Sequence, residues 1–346
     1  MEVIAVDLGY GYVKGLSAKG KSILFPTLIG PGHDRSLVSL FGTNGKDLGN
    51  LHVRVQGADF FIGELARESR STSRVFESER HHNPYTRVLM NAAISLLAEK
   101  QDVFLATGLP LDFYKAQAKS FRQSLMGVQP ELEWVSGPLA GEKRTVNIRE
   151  AFIFPQGAGA VFAALLDENG GHIYPELMSP GTQIGLIDIG FRTTDYIVVE
   201  MKHGGTFVPK VELSGTIDVG VIELHRMVRQ VYKQMTGGAD LEDFYVERII
   251  RDGRINHKGK PILFQDHLQA GTKSVAANIA DRLKTAWGPA MDLFDAIFLC
   301  GGGGELFHHS LQPHFDQRLN RVPNSQFANV IGYMKLAKTF MHTHHQ

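Results

Sequence analysis

A short pattern that occurs twice constrains the fold of this chain more than any other feature. Residues 3–7 are an apolar run that ends in Asp7, and a glycine-containing turn follows it. The same order returns at residues 183–190, where an apolar run ends in Asp188 just before Gly190. Short apolar runs bounded by turn residues are typical of buried strands. Each half of the chain is therefore predicted to open with a buried strand, an acidic turn and a returning strand.

The remaining elements follow a similar order in both halves. Helical spacing of apolar residues predicts helices at residues 85–100, 112–125, 157–166, 217–235, 268–287 and 328–340. Short apolar or alternating runs predict further strands at residues 12–18, 53–55, 60–62, 103–107, 150–154, 183–187, 195–200 and 296–300. The halves share this scheme and little sequence. The pattern therefore indicates an α/β duplication and not a solenoid-type repeat.

The length of 346 residues is about twice that of a typical domain, which favours two domains. We predict a first lobe from residues 1–157 and 328–346, with a subdomain insertion at about residues 26–80. The second lobe is predicted at residues 158–327, with an insertion at about residues 215–270.

Composition limits the classes of partner. The 36 basic and 36 acidic residues cancel, so binding of DNA by neutralising phosphates over a broad surface is not expected, although a local basic patch stays open. The single cysteine, Cys300, excludes an internal disulfide and fits a reducing compartment. The sequence shows no signal-peptide pattern and no apolar window of membrane-span length, so we expect a cytoplasmic protein without a membrane partner.

The first acidic turn has the residue types of a phosphate site. Gly9 and Gly11 allow a tight turn and close approach of a ligand to the backbone, whose N–H groups can bind an anion. Lys14 adds a positive charge, and a buried Asp7 is costly unless it is paired or faces a metal. The alternative is a plain β-hairpin with a surface lysine. The spacing matches neither a dinucleotide-binding fingerprint nor a Walker motif.

The second acidic turn, at residues 188–195, adds hydroxyl groups to the same plan. Mg²⁺ prefers oxygen ligands and keeps several waters, so Asp7 and Asp188 facing each other would suit a magnesium-bound nucleotide. The alternative is a turn whose aspartate and threonine side chains bond only to their own backbone.

Four consecutive glycines, residues 301–304, follow the strand predicted at residues 296–300. Such a run has a large entropic cost, which indicates that something flat or bulky comes close to the backbone there. An adenine and its ribose would satisfy this requirement. A flexible loop is the alternative.

The three strings, in this order and at these separations, resemble the phosphate-one, phosphate-two and adenosine motifs of the actin superfamily, which also includes sugar kinases and large heat-shock chaperones. Residues 155–160 and 328–335 resemble its two inter-lobe helices. The Asp-Ile-Gly-x-x-Thr-Thr-Asp string at residues 188–195 is most similar to ParM-type prokaryotic actin-like ATPases, a group with plasmid-segregation and archaeal members. The resemblance implies an α/β, actin-like (duplicated ribonuclease H-like) fold with two lobes around a nucleotide cleft.

The resemblance also implies roles for individual residues. Asp7 and Asp188 would hold Mg²⁺ through water, and Gln156 would orient the attacking water, as neutral glutamines do in other phosphoryl-transfer sites. The residues expected to bind ATP or ADP are Gly9, Tyr10, Gly11, Tyr12 and Lys14 from the first turn, Gly190, Arg192, Thr193 and Thr194 from the second, and Gly301, Gly302 and Gly303 beside the nucleoside. Gln156 could instead cap the helix that begins near Gly157.

Two positions leave the geometry of the second turn open. Phe191 and Arg192 stand where relatives often have smaller residues, and Arg192 either reaches a phosphate or points to solvent. Asp218 either touches the ribose or, as the preferred alternative, caps the helix predicted to begin at Ile217.

The function implied by the resemblance is slow, Mg²⁺-dependent ATP hydrolysis coupled to head-to-tail polymerisation, with plasmid DNA segregation as the role and DNA engaged through an adaptor protein. One alternative is a small-molecule kinase of the same superfamily, which needs a carboxylate base that the sequence does not clearly supply. The other is a non-polymerising nucleotide-binding regulator, which the sequence does not separate from a filament protein.

Overall fold

The computed structural model describes residues 1–33, 45–74, 83–168, 170–203, 205–316 and 318–344. These residues form two compact units. Unit 1 consists of Met1–Ile173 and Phe327–Gln346, and unit 2 consists of Tyr174–Gln326. Residues 34–44 and 75–80 of the insertion predicted at about 26–80 lie outside the described residues.

The described part of unit 1 contains twelve strands, and that of unit 2 contains eight. In unit 1 they are β1 (Glu2–Leu8), β2 (Tyr12–Ser17), β3 (Ser22–Pro26), β4 (Leu28–Pro31), β5 (Leu51–Val55), β6 (Ala58–Ile62), β7 (Ser73–Arg74), β8 (Asp102–Leu109), β9 (Gly127–Val128), β10 (Leu132–Ser136), β11 (Lys143–Arg144) and β12 (Asn147–Pro155). In unit 2 they are β13 (Gln183–Ile189), β14 (Thr194–Lys202), β15 (Thr206–Pro209), β16 (Gly215–Ile217), β17 (Arg254–His257), β18 (Lys260–Leu263), β19 (Ala296–Cys300) and β20 (Leu319–Arg321).

Eight α-helices lie within the described ranges. They are α1 (Pro84–Leu97), α2 (Leu111–Leu125), α3 (Ala158–Leu165), α4 (Ile222–Met235), α5 (Asp243–Asp252), α6 (Gln265–Trp287), α7 (Gly302–Leu311) and α8 (Ala328–His344). Helices α1, α2, α3 and α8 belong to unit 1, and α4 to α7 belong to unit 2.

The main sheet of unit 1 has the order β3-β2-β1-β8-β12-β9. Strands β1 and β2 form an antiparallel hairpin, and β8 and β12 run parallel to β1. Because these parallel strands end at the same edge, Asp7 near the end of β1 and Gln156 just after β12 are brought to one side of the sheet. A second sheet, β11-β10-β5-β6-β4-β7, contains the hairpin predicted at residues 53–62.

The alternation of side chains gives the main sheet of unit 1 two buried faces. One face, with Ile4 and Leu105, packs into the larger core that includes α1. The opposite face, with Val3 and Ala5, is covered by Tyr333 and other apolar residues of α8. Strand β1 is therefore apolar at nearly every position, as a strand buried on both faces requires.

Unit 2 repeats the arrangement. Its main sheet has the order β15-β14-β13-β19-β20, in which β13 and β14 form an antiparallel hairpin and β19 runs parallel to β13. Helices α6 and α7 pack on this sheet through residues such as Ile279 and Phe307. Helices α4 and α5 share a smaller core, centred on Val228 and Ile249, with the two-stranded sheet β17-β18 nearby. The predicted α/β duplication is confirmed.

The structure differs from the predicted elements in three places. The helix predicted to begin at Ile217 begins at Ile222, because Gly215–Ile217 pairs with β14 as strand β16. Helix α5 was not predicted at all, although its apolar residues have helical spacing. The glycine run at residues 301–304 is not a loop, because α7 spans Gly302–Leu311.

Candidate functional site

The first acidic turn is the hairpin loop that follows β1. The Gly9 N–H donates to the Tyr12 carbonyl at 3.1 Å, and Tyr10 and Gly11 form the tip between them. The side of the turn is supported by Thr27, whose hydroxyl donates to the Gly9 carbonyl at 2.7 Å and whose N–H donates to the Gly11 carbonyl at 2.9 Å. The conformation of the turn is therefore fixed by backbone hydrogen bonds on two sides.

The Asp7 carboxylate is 3% exposed and is bonded on both oxygens. The Lys14 ammonium lies 2.9 Å from Oδ2, and the Gln156 amide donates to Oδ1 at 3.1 Å. The Lys14 side chain is 14% exposed, so the alternative of a plain hairpin with a surface lysine does not describe this turn. A Cβ added to Gly9 would lie 3.3 Å from Lys14 Nζ, which places the ammonium beside the turn.

Gln156 lies between β12 and α3. Its backbone N–H donates to the Leu109 carbonyl at 2.7 Å, and the N-cap of α3 is Gly157, with a φ of 85°. Gly157 has no side chain that could cap the helix. The side-chain amide of Gln156 donates to Asp7 and not to the helix. The alternative that Gln156 caps the helix is therefore wrong. Unit 1 brings Asp7, Lys14 and Gln156 into one cluster of side chains.

The second acidic turn repeats the closing bond of the first. The Gly190 N–H donates to the Thr193 carbonyl at 2.8 Å, and Asp188 pairs with Asp195 across the hairpin as Asp7 pairs with Lys14. The backbone of the turn also accepts from the start of α4: the N–H of Val221 bonds to Gly190 at 3.2 Å and that of Ile222 bonds to Phe191 at 2.7 Å. Helix α4 thus fixes this turn, while Thr27 fixes the first.

The hydroxyl of Thr194 has an internal partner. This residue is fully buried, and its Oγ1 donates to the Val219 carbonyl at 2.8 Å. The bond joins β14 to the segment before α4. Thr194 therefore supports the turn from behind, whereas Thr193 is partly exposed at its rim.

Arg192 and Asp218 lie on the exposed side of the second turn. The Arg192 Nε lies 3.5 Å from Asp218 Oδ1, with side chains that are 43% and 76% exposed. A long, exposed ion pair of this kind contributes little to stability. The prediction that Asp218 caps a helix was wrong, because the helix begins four residues later and its N-cap is Val221.

At three of the four positions in the glycine run, an added side chain would collide with atoms of the protein itself. A Cβ on Gly301 would lie 2.3 Å from Asp188 Oδ1, and a Cβ on Gly303 would lie 2.4 Å from Ile189 Cγ2. A Cβ on Gly304 would meet Ser325 Oγ at 2.6 Å, whereas Gly302 has no atom within 4 Å. At residues 301, 303 and 304 the atoms that come close belong to the protein, and the approach of a nucleoside to this run stays a prediction. Gly302 alone faces open space.

Three supporting residues were missed by sequence reasoning. Thr27 lies 18 residues from the turn that it supports. A Cβ on Gly220 would lie 2.7 Å from the Arg192 backbone, so only glycine fits there. Asn329 accepts a bond from the Gly157 N–H at 2.9 Å, 172 residues away in the sequence. No local sequence pattern marks these long-range contacts.

Among the residues that the structure describes, no group of three or more histidine, cysteine, aspartate or glutamate side chains is arranged to hold a metal ion. Within the same ranges, no helix has both the length and the apolarity needed to cross a bilayer.

Comparison with known families gives two matches that follow one another along the chain. The family model described as "Actin like proteins N terminal domain" matches residues 5–159. The model described as "Archaeal actin homologue MreB-like, C-terminal" matches residues 186–313. The first match contains the Asp7 turn and Gln156, and the second contains the Asp188 turn and the glycine run.

Individual relatives cover nearly the full chain. An archaeal actin homologue from Thermoplasma volcanium is 25% identical over 357 residues, which include 99% of this chain and 100% of that protein. A ParM from Clostridium botulinum, solved as a 15-stranded filament, is 28% identical, with a TM-score of 0.86 over 98% of this chain and 99% of that chain. An archaeal actin homologue solved in complex with ADP is 20% identical and has the same fold, with a TM-score of 0.80 over 98% and 100% of the two chains.

The predicted actin-like fold is confirmed by these matches. Two family models match consecutive parts of the chain, residues 5–159 and 186–313, and the structure shows the duplicated hairpin and the acidic turns that the sequence predicted. The chain therefore belongs to the actin-like protein family that includes ParM and the archaeal actin homologues.

Proposed function

We propose that this chain binds ATP with Mg²⁺, hydrolyses it slowly and assembles head to tail into filaments. The observation that carries the proposal is the matched pair of turns. In each unit a buried aspartate is the penultimate residue of the first strand, β1 or β13, and the next glycine closes the turn by an N–H to carbonyl bond, at 3.1 Å for Gly9 and 2.8 Å for Gly190. Phosphate binding by both turns would account for the repeated arrangement.

The side chains present fit a hydrated magnesium ion. Asp7 and Asp188 are 3% and 7% exposed, and each offers carboxylate oxygens, the kind of ligand that Mg²⁺ prefers. Mg²⁺ is commonly bound through one or two carboxylates and its own waters, so Asp7 and Asp188 are the residues that would hold it. When bound, Mg²⁺ would neutralise the charge that develops on the phosphates.

The other residues of the turns would bind and orient the nucleotide. Backbone N–H groups at the tips of both turns, with Gly11 and Thr193, would donate to phosphate oxygens. The Lys14 ammonium is placed beside the Gly9 turn and would bind a phosphate while it remains close to Asp7. Gln156 would orient the attacking water through hydrogen bonds, and the open face at Gly302 would border the nucleoside.

Assembly is supported by the ParM filament to which the chain is similar, and nucleotide binding by the actin homologue solved with ADP. A head-to-tail contact is heterologous and does not close, so it extends into a filament. A nucleotide that binds one conformation more tightly would shift the balance between free and assembled subunits. Plasmid DNA segregation in the cytoplasm, with an adaptor protein that contacts the DNA, fits the absence of net charge.

The proposal is tested by adding Mg-ATP to the purified chain and following light scattering, phosphate release and pelleting together. All three signals should rise with protein concentration above a threshold. A small-molecule kinase of the same family would give no scattering, and it would transfer the phosphoryl group to its acceptor, so that ADP forms only with the acceptor present and no free phosphate accumulates. A non-polymerising regulator would bind nucleotide without either signal, and both results contradict the proposal.

The matched control compares two aspartates of one hairpin. Asp188→Asn removes the charge proposed to hold the metal, and should abolish phosphate release while the protein stays folded. Asp195→Asn alters the opposite residue, whose Oδ1 accepts a bond from the Thr216 hydroxyl at 2.6 Å, and should leave phosphate release near that of the wild type. Unchanged release in the Asp188 variant would remove this residue from the site.

A further inference from the structure

We propose that Asn329 is a positioning residue for Gln156, a role that rests on the proposed function above. Asn329 lies in the first turn of α8, far from Gln156 in the sequence. It does not need to touch the nucleotide. Its contact is with the peptide group that joins Gln156 to Gly157.

The contact is a buried hydrogen bond. Asn329 is 8% exposed, and its Oδ1 accepts from the Gly157 N–H at 2.9 Å. This N–H belongs to the peptide group whose carbonyl is that of Gln156, so the bond fixes the orientation of the peptide plane on the C-terminal side of Gln156. On the other side, the Gln156 N–H donates to the Leu109 carbonyl at 2.7 Å. Both peptide groups that flank the Gln156 Cα are therefore held.

The Gly157 N–H needs an acceptor from a side chain. Gly157 has a φ of 85°, in a region that glycine adopts readily and other residues rarely do. It is also the N-cap of α3, where backbone N–H groups have no partner within the helix. Without Asn329, the Gln156–Gly157 peptide could rotate, because glycine imposes little restriction on its own.

The position of Asn329 is itself fixed by close packing of α8 against the same part of unit 1. A Cβ on Gly332 would lie 1.7 Å from the Gly159 carbonyl oxygen, so the two helix backbones are in direct contact. The Tyr333 ring stacks on Phe154 of β12 at a centroid distance of 5.4 Å and an interplanar angle of 11°. Asn329 is thus held rigidly relative to the strand that ends just before Gln156.

Precise orientation matters for a residue such as Gln156. A neutral amide positions water only through directional hydrogen bonds, and it reaches Asp7 at 3.1 Å in the present arrangement. Misplacement of a catalytic group by about 1 Å can lower turnover by about 100-fold. Loss of the Asn329 bond should therefore act on the rate of hydrolysis and not on nucleotide affinity.

The experiment measures single-turnover ATP hydrolysis and ATP affinity for Asn329→Ala, Gln156→Ala and the double variant, in the full-length chain. Asn329→Ala should lower the rate constant by about 10-fold to 100-fold with affinity close to that of the wild type. The double variant should be no slower than Gln156→Ala, because positioning has no effect once the positioned group is removed. Asn329→Asp keeps an acceptor oxygen for the Gly157 N–H, so it should fold and retain most of the rate.

A matched control uses the other end of the same pair of helices. The Lys335 ammonium donates to the carbonyl oxygens of Ala163 and Leu166 at 3.3 and 2.6 Å, at the C-terminal end of α3. Partial burial holds the pKa of Lys335 below its usual range. Lys335→Met removes a contact between α8 and α3 that is remote from Gln156. It should change thermal stability and leave the rate constant unaffected.

The outcomes separate this inference from the proposed function. A Gln156→Ala variant with unchanged hydrolysis would overturn the catalytic role of Gln156, and with it the basis for the inference. A slow Gln156→Ala variant combined with normal hydrolysis by Asn329→Ala would overturn the positioning role alone. Additive losses in the double variant, or an Asn329→Asp variant as slow as Asn329→Ala, would also contradict it.

Discussion

Gly301 has a backbone conformation that only glycine adopts without strain, with a φ of 86° and a ψ of 171°. A side chain there would also strike Asp188 Oδ1 and the Ile189 carbonyl, both at 2.3 Å. Gly301→Ala should therefore lower the free energy of unfolding by about 1–3 kcal/mol from backbone strain, with a further loss from the clash. Chemical denaturation followed by circular dichroism would measure the change.

The neighbouring residue supplies the control for this prediction. Gly302 begins α7, and an added Cβ there meets no atom within 4 Å. Gly302→Ala should leave stability unchanged or raise it by about 0.5–1 kcal/mol, because alanine loses less backbone entropy in a helix. Equal destabilisation by both substitutions would show that the contacts of Gly301 are not the cause.

At the residue scale, the sequence indicated which small and polar residues are required, but it did not predict the contacts that require them. The glycine run was expected to admit a ligand, yet Gly303 makes room for Ile189 and Gly304 makes room for Ser325. Thr194 was expected to face phosphates, but its hydroxyl bonds to a carbonyl 25 residues away. A sequence shows that small or polar residues are required, whereas the neighbouring atoms are determined by tertiary packing.

Helices α3 and α8 cross at a point where both carry glycine. A Cβ on Gly332 would lie 1.7 Å from the Gly159 carbonyl oxygen, and the backbone atoms cannot move aside as a flexible side chain can. Gly332→Ala should separate the two helices and lower the free energy of unfolding by about 1–3 kcal/mol or more. The measurement is thermal or chemical unfolding of the full chain.

Gly271, within α6, is the control for the Gly332→Ala prediction. Its added Cβ would meet Met227 Cε at 2.5 Å, which is the end of a flexible side chain. Gly271→Ala should change stability by less than about 1 kcal/mol, because the gain in helix propensity offsets the repacking of Met227. If Gly332→Ala proves as mild, the helices are not in the direct contact described here.

Helices and strands were predicted well where the spacing of apolar residues was regular and uninterrupted. Strand β1 and helix α6 were predicted almost to their ends, since one is a continuous apolar run and the other a long helical pattern. Helix α7 was missed because glycines at its start have poor helix propensity. The start of α4 was placed too early because Gly215–Ile217 forms an edge strand whose pairing with β14 is invisible in the local sequence.

Nucleotide binding should stabilise the whole molecule. A ligand that binds only the folded state adds about 2.7 kcal/mol at a concentration of 100 times its dissociation constant. We expect ADP with Mg²⁺ to raise the melting temperature, and EDTA to remove much of this gain if Asp7 and Asp188 hold the metal. Scanning calorimetry with ADP, with and without EDTA, tests this. No shift with ADP under either condition would contradict nucleotide binding.

At the scale of the whole molecule, the sequence predicted the duplication because each half repeats the same strand and turn pattern. It could not predict the contacts of Thr27, Gly220 and Asn329, since each depends on segments that are distant in the sequence. The roles of the residues at the turns were inferred from family resemblance. The hydrogen bond between Gln156 and Asp7 was seen only in the structure.

The division of unit 1 into two separated stretches has a consequence for synthesis on the ribosome. Helix α8 supplies Val330, Tyr333 and Met334, which cover the second face of the main sheet of unit 1. This helix is translated after all of unit 2. The unit that begins emerging first is thus completed last, and until then its nascent sheet presents an uncovered apolar surface of the kind that chaperones bind.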